Sequence, residues 1–155
     1  MERFYWVRED RLAGSSRPGG LRDVRLDADL DELASHGIGA ILSMTETPID
    51  ELAVVAAGMT YANIPVDDFT APAVGQILDS LEFIDLAHAE ERAVLVHCAA
   101  GQGRSATILG AWLVRQGATA DDAIAELRAV CDRAVENEAQ IACLRAFERN
   151  RLWVV

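Results

Sequence analysis

The chain has 155 residues, 51% of them hydrophobic and 25% charged, and a formal net charge of −11 at pH 7, the composition of an ordinary globular protein for which one domain over residues 1–155 is expected. Every one of its fourteen basic residues is an arginine, and with so acidic a balance and no basic cluster the chain is not built for a nucleic-acid partner. No apolar run approaches the ~20 residues of a membrane span, the opening Met1–Trp6 has no signal-peptide core, and three scattered cysteines make no disulfide framework, so a monomer in the cytoplasm, away from membranes, is expected.

In chain order, Phe4-Tyr5-Trp6-Val7 and Leu12-Ala13-Gly14 read as short edge strands or an extended arm, and Ser15 to Gly20 as a loop by its turn chemistry. Leu26, Leu30, Leu33 and Ala34 have helical spacing from Asp27 to His36, with Gly37 as the cap. Ile38–Met44 is a buried strand, Thr45–Pro48 the loop leaving it, and Ile49–Ala57 a short helix stopped by Gly58. Thr60–Val66 is a further strand, placed at an edge or ended by Pro65. After Asp67-Asp68-Phe69, Thr70 is expected to cap a helix with Pro72 in its first turn. Its apolar face takes Val74, Ile77, Leu78, Leu81, Ile84 and Leu86 and runs to about Glu91.

Val94–His97 is the strand that feeds the most informative stretch of the chain. Cys98 follows it, then Ala99-Ala-Gly-Gln-Gly103, and Arg104-Ser105 opens a helix with Ile108, Leu109, Trp112 and Leu113 that stops at Gly117. Thr119 starts another helix, with Ile124, Leu127 and Val130 as its apolar positions, and a last one from Glu136 to Arg149 carries Ile141, Leu144 and Phe147. Strands and helices alternating at crossover lengths predict an α/β fold, a central and largely parallel sheet flanked by helices. In such sheets ligands sit beyond the carboxyl ends of strands. Cys98 and the Asp67-Asp68 pair both lie beyond strand ends, so the topology lets them meet.

A glycine-rich loop between strand and helix points several backbone N–H groups into one concavity, and the helix N-terminus adds its positive dipole end. Such a site wants a phosphate-like anion. Here Cys98 lies at its floor and Arg104 at its rim, and the field that holds an oxyanion also favours a thiolate, which makes Cys98 a nucleophile inside an anion hole. A bare Cys-x5-Arg pattern says little, because Cys143 to Arg149 matches it too. That second match has no glycine and lies in an apolar-periodic helix, where Cys143 packs as a small hydrophobe. Specificity comes from the strand, His97, Gly101, Gly103 and Ser105 around the first match.

Together these residues read His-Cys-x-x-Gly-x-x-Arg-Ser, which closely resembles the signature of the cysteine-dependent protein tyrosine phosphatase superfamily. Further segments, among them Leu12-Ala-Gly14, Leu42-Ser-Met-Thr-Glu46 and Ala123-Ile-Ala-Glu126, resemble its small atypical dual-specificity members. The resemblance implies a tyrosine-phosphatase-like fold and hydrolysis of phosphate monoesters on phosphoproteins through a phosphocysteine, with no metal and no cofactor. Cys98 would attack phosphorus. Backbone N–H groups of Ala99, Ala100, Gly101, Gln102, Gly103 and Arg104, with the Arg104 guanidinium, would bind the phosphoryl oxygens.

A carboxylic acid must protonate the leaving oxygen, and chemistry alone leaves Asp67 and Asp68 both open. Ile64-Pro-Val-Asp-Asp-Phe-Thr-Ala-Pro72 resembles the family's general-acid loop, which puts the acid on Asp68. The family also implies that the Ser105 hydroxyl assists the thiolate as leaving group and that Gln140 lies near the site. His97 is expected to shape the loop through hydrogen bonds. Gln102 reads equally as a polar loop residue or as a group orienting water, and Ser105-Ala106 departs from the usual Ser/Thr-Gly. The partner implied is a phosphorylated protein or peptide carrying phosphotyrosine and also phosphoserine or phosphothreonine. Uncharged Ala99, Ala100 and Gln102 speak against an inositol-phospholipid substrate. A phosphatase of small-molecule phosphates, a non-catalytic phosphate-binding module, and a peroxide-sensing thiol without a resolving cysteine nearby in sequence are the competing readings.

Overall fold

Val94, Leu95 and Val96 are fully buried, and a strand that is apolar on both faces must lie inside a sheet covered on both sides. The computed structural model, which describes residues 1–151, 153 and 154, places this strand, β5 (Ala93–His97), at the centre of five. The others are β1 (Tyr5–Arg8), β2 (Leu12–Ser15), β3 (Ile38–Ser43) and β4 (Thr60–Asn63), in the order β1-β2-β5-β3-β4. β2, β3 and β4 run parallel within the sheet around β5, and only β1 is antiparallel, paired to β2.

Side chains alternate along β5. Ala93 and Leu95 join the core under α1 (Leu26–Ser35) and α2 (Glu51–Ala56), while Val94, Val96 and Cys98 face the opposite core. That second core is built by α3 (Val74–Ala89), α4 (Arg104–Arg115), α5 (Ala120–Val130) and α6 (Glu138–Asn150). Every residue of α4 from Arg104 to Val114 is buried, as befits a helix enclosed by the sheet and three neighbours. No helix among the described residues is long and apolar enough to cross a membrane.

Four expectations are corrected. Of the two strands expected at an edge near the start of the chain, β1 is one and β2 is not: β2 lies between β1 and β5, and the consecutive burial of Leu12, Ala13 and Gly14 is the mark of an interior strand. Thr70 does not cap α3, whose N-cap is Ala73, where the Gln76 side chain accepts from the Ala73 N–H at 2.8 Å; the Thr70 hydroxyl instead donates to the Asp67 carbonyl at 2.6 Å and closes the preceding turn. Leu86 and Val130 are 62% and 50% exposed. Each lies off the stripe its helix buries, and Cys131, one turn beyond Leu127, fills the place expected for Val130. Lastly, α6 starts at Glu138 with Asn137 as N-cap, which leaves Glu136 in the loop before it.

Because β2, β3, β4 and β5 are parallel, their carboxyl ends share one edge of the sheet. The loops after Ser15, Ser43, Asn63 and His97 converge there.

Candidate active site

The loop from Cys98 to Gly103 wraps around the Cys98 sulfur. The Gly101 N–H donates to Sγ at 3.2 Å, and the Ser105 hydroxyl, in the first turn of α4, lies 3.2 Å from the same atom. Gly101 has φ of 78°, and a Cβ there would stand 2.5 Å from the Ser15 carbonyl carbon, so neither conformation nor space admits a side chain. Its carbonyl is held from the far side by the buried Tyr5 hydroxyl at 2.8 Å and by the Cys131 thiol at 3.8 Å. Burial pushes the Tyr5 phenol well above its ordinary range, so it stays a donor. Among the described residues no protein acceptor takes the N–H groups of Ala100, Gln102 or Gly103. These donors line a concavity closed by α4, as an anion cradle requires.

His97 fixes the strand end below. The Ile49 N–H donates to the Tyr61 hydroxyl at 3.1 Å and the Tyr61 hydroxyl to Ser43 Oγ at 2.7 Å, so the Ser43 proton is free to point at His97 Nε2, its next partner. Nε2 then accepts, and Nδ1 carries the proton and donates to the Cys98 carbonyl at 3.2 Å. Complete burial, aided by the nearby Arg17 and Arg104 cations, lowers the His97 pKa from 6.5 to about 4. The imidazole is neutral at physiological pH and serves as a spacer between β3 and the cysteine loop.

Arg104 is 2% exposed. Its Nη1 donates to the Val66 carbonyl at 2.8 Å and pairs with the Glu46 carboxylate, and its Nη2 lies 3.3 Å from Asp68 Oδ1. Nε is a buried side-chain donor with no partner among the described residues. A buried guanidinium N–H without an acceptor costs free energy unless a ligand oxygen takes it. Own-backbone hydrogen bonding, and then Arg104, hold the Glu46 carboxyl below its usual range. Glu136 stands against Gly103, and burial, followed by repulsion from Asp68, raises its pKa. A cleft of about 290 Å³, lined by Arg17, Leu21, Thr45, Asp68, Ala99 and Arg104 among others, opens above this cluster.

This geometry can be set beside known proteins. A family model described as "Tc-R-P: Polymorphic toxin system, DSP-PTPase phosphatase" matches residues 13–118. The chain belongs to this family. It is similar to a tyrosine-protein phosphatase, cdcA, of Emericella nidulans, with 30% identity over 104 residues covering 64% of this chain and 17% of that protein. To human dual specificity protein phosphatase 7 it has 34% identity over 89 residues, covering 57% and 21%. The chain thus spans about a fifth of the length of these curated relatives. The crystal structure of Tk-PTP in the active form superposes with a TM-score of 0.84 at 30% identity, covering 95% of this chain and 97% of that one. Kinase associated phosphatase shares the fold, with a TM-score of 0.83 at 22% identity, covering 100% of this chain and 97% of that one.

Within this DSP-PTPase fold the sequence-predicted residues Cys98, Arg104, Ser105, Asp68 and the Ala99–Gly103 loop are brought together. Asp68, and not Asp67, is the member of the acidic pair that reaches Arg104. Gln140 is fully buried beside Gly103 and donates from Nε2 to the Thr70 carbonyl at 3.3 Å. The Gln102 carbonyl accepts from the Val135 N–H at 2.8 Å, which ties the loop to the segment before α6. Cys143 is half-buried in α6 with Sγ 3.6 Å from the Pro72 carbonyl. The sequence reading assigned no role to Glu46, Tyr5, Glu136 or Asn137. Glu46 ends the Leu42–Glu46 segment, whose family resemblance is the one signal for it; Tyr5 and Asn137 reach the site through long-range hydrogen bonds, to the Gly101 and Phe69 carbonyls, that no local pattern records. Among the described residues no group of three His, Cys, Asp or Glu side chains is placed to hold a metal.

Proposed function

We propose that this DSP-PTPase domain, taken as residues 1–155, hydrolyses phosphate monoesters on phosphoproteins, phosphotyrosine and also phosphoserine or phosphothreonine, through a phosphocysteine. One observation carries the reading: the Cys98 sulfur accepts the Gly101 N–H and lies against the Ser105 hydroxyl, both at 3.2 Å, inside a cradle whose buried Arg104 Nε has no partner among the described residues. The Cys98 thiolate attacks phosphorus in line, while Arg104 and the free N–H groups hold the three equatorial oxygens. The phosphoryl group takes the Arg104 face that Asp68 now contacts, and the Asp68 carboxyl gives its proton to the departing oxygen as the P–O bond breaks. Water then attacks the phosphocysteine and passes its proton to Asp68. As the S–P bond breaks, the Ser105 hydroxyl and the Gly101 N–H stabilise the thiolate. Protonation of the leaving group is worth ~10²–10⁴-fold where that group is poor.

The chain is read as a cytoplasmic monomer, since a thiolate nucleophile needs a reducing compartment. Turnover of an aryl phosphate by the wild type, its loss in Cys98→Ser, and a phosphopeptide panel test the reading. No turnover of any phosphate monoester would leave the phosphate-binding module, and turnover of small phosphates but no phosphopeptide would favour a small-molecule phosphatase. Capture of phosphopeptides by Asp68→Ala, which binds but cannot expel a poor leaving group, identifies the substrate.

A further inference from the structure

The segment that carries Asp68 is stitched to one face of α6 by three residues spaced three apart. Asn137 Nδ2 donates to the Phe69 carbonyl at 2.8 Å, Gln140 Nε2 to the Thr70 carbonyl at 3.3 Å, and Cys143 Sγ lies 3.6 Å from the Pro72 carbonyl. Positions three apart share one side of a helix, so the contacts form a ladder along the first turns of α6. The two amides leave no doubt about their orientation. Asn137 Oδ1 accepts from the Gln140 N–H at 3.0 Å and Gln140 Oε1 from the Glu136 N–H at 2.9 Å. A backbone N–H only donates and a carbonyl only accepts, so each amide nitrogen must face the acid loop. Each amide therefore satisfies a backbone group at the start of α6 with one end and grips a carbonyl of the acid loop with the other.

The same stretch before α6 is tied to the cysteine loop, through the Val135 N–H to the Gln102 carbonyl at 2.8 Å and the Cys131 thiol to the Gly101 carbonyl. Within the acid loop the Thr70 N–H and hydroxyl close a turn on the Asp67 carbonyl at 3.1 and 2.6 Å, and beyond that turn the Phe69 and Thr70 carbonyls are held from α6. Phe69 is 67% exposed and sits at φ of 63°, a left-handed conformation that a phenylalanine adopts only when its surroundings impose it. The start of α6 thus ties the loop that carries Asp68 to the loop that follows Cys98.

Resting on the phosphatase reading above, we propose that Asn137, supported by Gln140 and Cys143, is a positioning residue that latches the Asp68 loop over the cradle and so governs protonation of the leaving group, leaving attack by Cys98 largely untouched. Asn137→Ser isolates this role, because serine caps a helix as well as asparagine does but has no amide to reach the Phe69 carbonyl. In kcat/KM, Asn137→Ser is expected to lose about tenfold on a phosphoserine peptide, whose leaving oxygen needs a proton, and less than twofold on para-nitrophenyl phosphate, whose leaving group does not. Placed in an Asp68→Ala background it is expected to cost nothing further. Asn137→Asp, which keeps the cap and turns the donor into an acceptor facing that carbonyl, is expected to show at least the same split and serves if the serine variant does not fold.

Equal losses on the two substrates, or a further loss of the same size in Asp68→Ala, would overturn the latch. If wild type turns over neither substrate, the phosphatase reading falls and the latch with it; if wild type is active but Asp68→Ala shows no dependence on the leaving group, Asp68 is not the acid and the latch falls while the phosphatase reading stands. If wild type and Asp68→Ala behave as expected while both Asn137 variants are flat, the latch alone is wrong.

Discussion

His97 should make the fold itself sensitive to mild acid. In the unfolded chain its imidazole takes a proton near pH 6.5, whereas in the folded protein burial holds the pKa at about 4. A depressed pKa means that the stabilisation is complete above pH 6.5, declines as the pH falls, and is gone by about pH 4. At ~1.4 kcal/mol per pH unit the whole window is worth about 3 kcal/mol, a large share of the 5–15 kcal/mol typical of a domain. The structural reason is specific: a proton on Nε2 would face the Ser43 hydroxyl, which already receives from Tyr61 and has its own proton turned to the ring. Urea unfolding of wild type and His97→Asn at steps from pH 7.5 to 4 measures this. Carboxylates contribute to both proteins, so the difference between the two curves isolates the imidazole. Wild type is expected to lose about 3 kcal/mol more than the variant, most of it below pH 6. Parallel curves, or a folded-state imidazole resonance titrating near pH 6.5, would refute the account of the hydrogen-bond chain.

Three further outcomes are expected. Gly101→Ala puts a methyl against the Ser15 backbone at a left-handed position, which costs about 1–2 kcal/mol in conformation alone; thermal unfolding should fall and aryl phosphatase activity should drop by more than tenfold, and an unchanged Tm would show that the loop relaxes freely. Glu46→Gln retains an oxygen acceptor for Arg104 and should keep activity within about threefold, whereas Glu46→Ala frees the guanidinium and should lose about tenfold in kcat/KM, the size of one hydrogen bond to a charged group discounted for exposure; equal effects would mean that the Glu46 charge, not its geometry, matters. Because the chain carries −11, moderate salt should raise kcat/KM for acidic phosphopeptides before competing at the cradle. A steady fall from low salt would show that the local field of Arg104 already dominates.

The strand, loop and helix around Cys98 were legible because their signals are local. An apolar run, two glycines and a helical repeat occupy consecutive positions, and the chemistry of Cys98, Arg104 and Ser105 lies within one turn of them. Asp68 was legible only through family resemblance, since an exposed acidic pair carries no mark of which member turns inward. Glu46 and Asn137 were not legible as site residues, because what places them is the convergence of four parallel strand ends and the start of α6, none of which a linear pattern records. Tyr5 lay deeper still: as part of an expected edge strand its hydroxyl had no reason to meet Gly101, and only the interior position of β2, with the ring of Tyr5 pressed on Gly14, brings it under the cradle. The start of α3 was misplaced for a related reason: Thr70 has the chemistry of a cap, but the loop uses it to close the Asp67 turn.

The peptide plane between Gly101 and Gln102 has two ways to lie, and β1 decides between them. With the Gly101 carbonyl moored to the Tyr5 hydroxyl at 2.8 Å, the Gln102 N–H of the same plane, trans to that carbonyl, points the opposite way, into the cradle. Turned over, this plane would aim an electron-rich oxygen into the cradle and strand a buried phenol hydroxyl, a penalty of about 1–3 kcal/mol before any repulsion is counted. A residue at the outermost strand therefore acts as the polarity key of the cradle: it sets the sign of the potential that an arriving anion meets.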